Sequence, residues 1–149
     1  MPNPLTGKTL EHIAKEIGPI VKVTKTDAEW RAQLEAESYQ VLRHEATERP
    51  FANKYADHHE KGVYACAGCE LPLFSSEHKF ESGTGWPSFW QPITPAVVVT
   101  TTDYKLIFPR TEVHCAQCEG HQGHIFKDGP KPTGLRYCIN SAAMKFIPV

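Results

Sequence analysis

Two Cys-x-x-Cys pairs, Cys66/Cys69 and Cys115/Cys118, constrain this chain more than any other feature. Four thiolates are the closed tetrahedral set that a structural zinc ion takes. Residues 70–114 separate the pairs, well beyond the usual ribbon spacing of about 15–20 residues. The metal is therefore expected to clip two distant hairpins together instead of organising a small finger. A redox dithiol is the rival reading, but that motif is usually single and opens a helix in a βαβ pattern. Here the pairs echo each other in turn-like contexts, Ala65-Cys66-Ala67-Gly68-Cys69-Glu70 and His114-Cys115-Ala116-Gln117-Cys118-Glu119.

The fifth cysteine, Cys138, is left over from the metal set. An inert buried thiol is one reading, because free cysteine is among the most buried residue types. A nucleophile is the other. Arg136 and Asn140 lie two residues to either side, so in a strand all three side chains leave one face. A cation and an amide there would stabilise a thiolate.

At 149 residues and 40% hydrophobic content the chain suits one globular domain. Sixteen basic residues against seventeen acidic ones, scattered along the sequence, leave no electrostatic footprint for nucleic acid. No apolar run approaches the roughly 18 residues of a membrane span, and the first twenty residues lack a signal-peptide core. The start, Met1-Pro2-Asn3-Pro4, is polar and stiff. A cytoplasmic chain with no membrane association is expected, in a compartment that keeps thiols reduced.

Helical signals are confined to the first third. Leu10, Ile13, Ala14 and Ile17 recur at helical spacing after Thr9, and Gly18-Pro19 would stop that helix. Thr26-Asp27-Ala28-Glu29 is a capping-box pattern leading to Trp30 and Leu34 on one face. A further short helix is expected over 37–43, with Tyr39 and Leu42 inward. From Gly62 the texture changes to β-prone runs punctuated by Gly and Pro, at 63–65, 72–74, 97–102, 105–108, 112–114, 124–126, 135–139 and 144–147. The short connections imply antiparallel pairing. Residues 1–25 read as an N-terminal extension and 26–149 as a single domain.

Three clusters remain. In Gly83-Thr84-Gly85-Trp86-Pro87-Ser88-Phe89-Trp90 the aromatics are either core or, for Trp86 after its Gly-Thr-Gly turn, a flat wall at a pocket mouth. In Gly120-His121-Gln122-Gly123-His124-Ile125-Phe126 the two histidines could be structural or ligands of another metal. Placed upstream of Arg136, Cys138 and Asn140, they are candidates for proton donors, since imidazole titrates near neutral pH. The run 128–134, rich in Gly and Pro, looks like a rigid return to the cysteine strand.

The first two of these clusters, with Leu135-Arg136-Tyr137-Cys138-Ile139-Asn140-Ser141 and both knuckles, resemble the methionine-R-sulfoxide reductase B family over about residues 27–147. The resemblance implies a mainly β fold of two small antiparallel sheets, β-tent-like, with short N-terminal helices and a structural zinc on Cys66, Cys69, Cys115 and Cys118, far from the active site. It implies Cys138 as nucleophile, His121 and His124 on the sulfoxide oxygen, and Arg136 and Asn140 tuning the site. Trp86 would pack on the substrate methyl, with Phe126 helping to line the pocket. The implied reaction is reduction of the R epimer of methionine sulfoxide in oxidised proteins, through a sulfenic acid on Cys138.

One departure bears on the cycle. Many members of the family carry a resolving cysteine where this chain has Thr84. A one-cysteine cycle follows as the expectation, with thioredoxin or another external thiol reducing Cys138, and with a monomeric chain. A zinc-clipped binding scaffold with an inert Cys138 is the competing reading, and a nucleic-acid ribbon a more distant one.

Overall fold

The computed structural model describes residues 9–149. The stiff start read at residues 1–4 lies outside the described residues. The first helix, α1 (Leu10–Glu16), begins where the Thr9 hydroxyl accepts the His12 N–H at 3.1 Å, and it buries Leu10 and Ile13. Beyond it the chain crosses the second knuckle. There the Val23 N–H donates to the Gln117 carbonyl at 2.8 Å and Lys22 Nζ to the Ala116 carbonyl at 3.1 Å. Helix α2 (Asp27–Gln33) opens with the expected capping box of Thr26 and Glu29 and buries Trp30. Helix α3 (Ala36–His44) buries Tyr39, Val41 and Leu42.

The strands are β1 (Gly62–Cys66), β2 (Pro72–Ser75), β3 (Lys79–Phe80), β4 (Ser88–Phe89), β5 (Val98–Asp103), β6 (Arg110–Cys115), β7 (His121–Phe126), β8 (Arg136–Ile139) and β9 (Met144–Pro148). They form two antiparallel sheets, ordered β2-β1-β9 and β3-β4-β8-β7-β6-β5. Aromatic side chains join the sheets. Phe74 of β2 stacks on Phe89 of β4 with centroids 4.5 Å apart, and Tyr64 of β1 meets Phe89 edge-on at 5.2 Å. Such pairs add about 0.5–1.5 kcal/mol each beyond the area they bury. Tyr137 and Ile139 of β8 point into this core, which sets the opposite face of β8 toward solvent.

One expected strand is absent. Residues 105–108 form the exposed connection between β5 and β6, with Leu106, Ile107 and Phe108 in solvent. Their β propensity reflects side-chain packing, and no sheet covers them here. The Asp103 carboxylate accepts the Lys105 N–H at 2.9 Å and turns the chain out of the ladder. Conversely, β3, β4 and the start of β7 are not among the expected strands and are paired. Among the described residues, no helix is long and apolar enough to cross a membrane.

Candidate active site

The alternation of β8 presents Arg136 and Cys138 on its outer face, as their two-residue spacing requires. They line a cavity of about 200 Å³ together with Trp86, His124, Phe126 and Asn140, and its wall is completed by Thr84, Arg110 and Gly123. Strand β7 supplies the facing wall: Cys138 is the direct ladder partner of His124, and Arg136 that of Phe126. A Cβ on Gly123 would lie 2.0 Å from the Cys138 carbonyl oxygen. Only glycine lets the two strands approach this closely.

His124 and His121 occupy different environments. His124 faces the cavity, and its Nε2 lies 2.9 Å from Asp103 Oδ2. The Lys105 N–H and His124 hold the Asp103 carboxyl down at about 2, with Arg110 Nη2 at 3.1 Å adding to the effect. Asp103 is therefore ionised and accepts the Nε2 proton, which leaves Nδ1 as the nitrogen available to a substrate. His121 is 1% exposed and stands behind His124, with ring centroids 5.5 Å apart. Burial, followed by the neighbouring His124 and His114, pushes it down to about 4. At neutral pH it carries no charge.

Burial also raises the Cys138 thiol, against the opposing pull of the Arg136 and Thr84 side chains. At neutral pH Cys138 is a thiol. Arg136 is committed elsewhere as well: its Nε and Nη2 donate to the two oxygens of Asp128, at 2.9 and 3.2 Å, and its guanidinium lies 4.3 Å from the Phe126 ring centroid. The Thr84 hydroxyl is held in turn by Ser82 at 2.8 Å, and Ser82 by Ser88 at 2.8 Å.

Asn140 and Trp86 are anchored by a residue that sequence reasoning did not single out, Glu48. The Glu48 N–H donates to Asn140 Oδ1 at 3.1 Å, and the Glu48 carbonyl accepts Trp86 Nε1–H at 3.1 Å. Its buried carboxylate accepts the backbone N–H groups of Ser141 and Ala142, and burial raises its pKa. Asn140 Nδ2 donates to the Gln122 carbonyl at 3.1 Å, so both ends of this amide are fixed. Asp103 and Arg110 were missed too. Their position at the two ends of the 104–109 connection shows only once β5 and β6 are paired.

The four paired cysteines converge as expected. Cys66 and Cys118 Sγ are 3.6 Å apart, Cys69 and Cys115 Sγ 3.5 Å, and all four sulfurs lie within 4.8 Å of one another. Zinc–sulfur bonds of about 2.3 Å place tetrahedral sulfurs roughly 3.8 Å apart, so the set fits zinc. The knuckles share one conformation. Glu70 and Glu119 both follow in the left-handed region, φ 65° and 64°, and return their N–H to Cys66 and Cys115 at 2.8 and 2.9 Å. One knuckle leaves the smaller sheet at β1 and the other joins β6 to β7, so the metal ties the two sheets together. Gln122 connects this centre to the cavity: its Nε2 lies 3.5 Å from Cys66 Sγ, while its carbonyl holds Asn140.

Comparison with known proteins places these features in context. The SelR domain family model matches residues 34–148. Among curated relatives, the peptide methionine sulfoxide reductase MsrB of Herminiimonas arsenicoxydans is 56% identical over 125 residues, 84% of this chain and 91% of the relative. The MsrB of Thiobacillus denitrificans is 55% identical over 124 residues, 83% of this chain and 94% of the relative. That of Agrobacterium fabrum is 53% identical over 128 residues, 86% of this chain and 95% of the relative.

Proposed function

The chain belongs to the SelR domain family, and from that premise we propose that the cavity between β7 and β8 is the catalytic site, with Cys138 as its nucleophile. The activity is that of a peptide-methionine (R)-S-oxide reductase. The four knuckle cysteines form its structural zinc site. Zinc there supplies folding free energy rather than chemistry.

The observation that carries the assignment is the ladder pairing of Cys138 with His124 inside a cavity walled by Trp86 and Phe126. A sulfoxide sulfur is a poor electrophile until its oxygen takes up a proton. In this scheme the Cys138 thiol proton passes to His124 Nδ1, while Asp103 holds the other ring nitrogen and stabilises the imidazolium. Nδ1–H then protonates the sulfoxide oxygen as the Cys138 sulfur attacks the substrate sulfur. The hydroxyl oxygen then moves to the Cys138 sulfur as the substrate sulfur loses both its S–O bond and its new S–S bond, which leaves methionine and Cys138 sulfenic acid. Two external thiols restore the Cys138 thiol, releasing water and their own disulfide.

His121, neutral and buried, acts through its edge contact with His124 and positions it. Asn140 and Arg136 hold the wall and the local field, and Trp86 and Phe126 receive the methyl group. Exchanging oxygen and methyl about sulfur converts one epimer into the other, so a site with a fixed donor and a fixed aromatic wall accepts one hand. The open cavity suits methionine sulfoxide within a polypeptide, and thioredoxin is the reductant we assign. Residues 26–149 are the reductase domain in this reading, and the family match over 34–148 supports it. A monomer is the working unit in this reading. The free thiols suit the cytoplasm, and the balanced charge gives no handle for nucleic acid.

The test is turnover of the separated R and S epimers of a peptide methionine sulfoxide with dithiothreitol, for the wild type and Cys138→Ser. Reduction of R alone, abolished by the substitution, is the expected result. Turnover surviving in Cys138→Ser would overturn the assignment.

A further inference from the structure

Behind the cavity, the His121 ring nitrogens and Glu112 present unpaired polar atoms that the positioning of His124 does not account for. Both ring nitrogens of His121 and Oε1 of Glu112 are buried with no hydrogen-bond partner. Nδ1 of His121 approaches Oε1 at 3.1 Å, but the two atoms are not aligned as a hydrogen bond. Leaving a buried polar group unpaired costs about 1–3 kcal/mol. Such groups call for an explanation, of which a bound ion is one.

The third residue is His114, on the same strand as Glu112 and opposite His121 in the β6–β7 ladder. Its Nε2 lies 3.5 Å from Glu112 Oε2, and the ligand atoms of all three residues fall within 4.8 Å of one another. Donors about 2.0–2.2 Å from a tetrahedral ion stand roughly 3.3–3.6 Å apart, and each imidazole lies near that distance from one of the two Glu112 oxygens, His121 from Oε1 at 3.1 Å and His114 from Oε2 at 3.5 Å. We propose that Glu112, His114 and His121 form a second metal site, separate from the four cysteines, that takes one divalent transition-metal ion.

The surroundings suit that role. His114 Nδ1 lies 3.1 Å from the Glu119 carbonyl, the outer contact that fixes the tautomer of a metal-binding imidazole and leaves Nε2 free to ligate. Two imidazoles and one carboxylate select zinc, cobalt, nickel or iron over calcium or magnesium, which prefer oxygen donors. The nearest cation, Lys105 at 3.9 Å from Glu112 Oε1, is paired with Glu45 and leaves the carboxylate charge available. His121 and Glu112 are buried while His114 reaches the surface, so an ion enters from the His114 side. Bound there, it would cross-link β6 and β7 between the zinc knuckle and His124.

The experiment is titration of the enzyme, with zinc in its cysteine site, by Co²⁺, followed by visible absorption and elemental analysis. One cobalt per chain should bind with the zinc retained, giving weak ligand-field bands without intense thiolate-to-cobalt charge transfer. Removing even an outer-shell partner of a metal costs about 10–100-fold in affinity, so His114→Ala, a partly exposed position, should weaken cobalt binding by at least that factor. Its zinc content and thermal transition should match the wild type without cobalt. Glu112→Gln should do the same where it folds. Failure to bind a cobalt beyond the zinc, thiolate bands with zinc release, or equal affinity in wild type and His114→Ala would each overturn the proposal.

Discussion

Gly123 lies so close to Cys138 that a methyl group added to it would overlap the Cys138 carbonyl oxygen, 2.0 Å away. Gly123→Ala should force β7 from β8, separating His124 from the nucleophile. We expect a loss of stability of about 2 kcal/mol or more and a collapse of turnover even where the fold survives. Denaturant unfolding together with steady-state kinetics measures both, and a wild-type rate in the folded variant would show that the ladder spacing does not matter.

Asp103→Asn removes the charge that faces His124 Nε2 while keeping the side-chain shape. General acid catalysis contributes about 10²–10⁴-fold, and a fall of that order in kcat, with KM little changed, is the expected result. An equal effect on KM alone would make Asp103 a substrate-binding residue.

Thr84 separates two outcomes by chemistry. In the wild type, one turnover without reductant should leave Cys138 as sulfenic acid with zinc retained and no internal disulfide. Thr84→Cys should instead trap a disulfide with Cys138. Peptide mapping by mass spectrometry reads both. A Cys138 disulfide to any knuckle cysteine in the wild type, with zinc release, would contradict the one-cysteine cycle.

The depressed His121 makes stability depend on pH in a definite direction. Its native pKa of about 4 lies below the ordinary value of 6.5, so the unfolded chain takes up a proton that the folded chain refuses. Stability from this residue is constant above about pH 6.5 and declines as pH falls toward 4, by on the order of 3 kcal/mol. Urea unfolding from pH 7 to 4, with zinc content monitored, should show a steeper decline in the wild type than in His121→Asn.

Chelating the zinc should release the two sheets from each other. Cys66→Ser and Cys118→Ser are each expected to lower the thermal transition far more than Cys138→Ser, which leaves the knuckles intact. Thermal unfolding with and without chelator measures the difference, and similar transitions in all three variants would remove the metal from the stability of the fold.

What was legible in the sequence was local chemistry. The Thr26/Glu29 box, the three helices, the four zinc ligands and the shared face of Arg136 and Cys138 follow from spacing alone. Residues 105–108 failed because β propensity cannot say whether a sheet exists to cover a side chain. Glu48, Asp103 and Gln122 were missed because their roles depend on partners far along the chain: Glu48 meets Asn140 and Ser141, Asp103 meets His124, and Gln122 meets Cys66. The difference between His121 and His124 was equally hidden. Their motif is nearly symmetric, and only burial distinguishes them.

Thr84, finally, sets the working life of the molecule. A hydroxyl beside Cys138 can oppose the rise of its pKa, but it cannot form a disulfide with an oxidised sulfur. Each catalytic event therefore ends with the nucleophile exposed to further, irreversible oxidation until a thiol arrives from outside. When reductant is plentiful that interval is brief. When it is scarce, the same oxidants that create the substrate also consume the catalyst, so the supply of external thiols limits how many turnovers a chain survives.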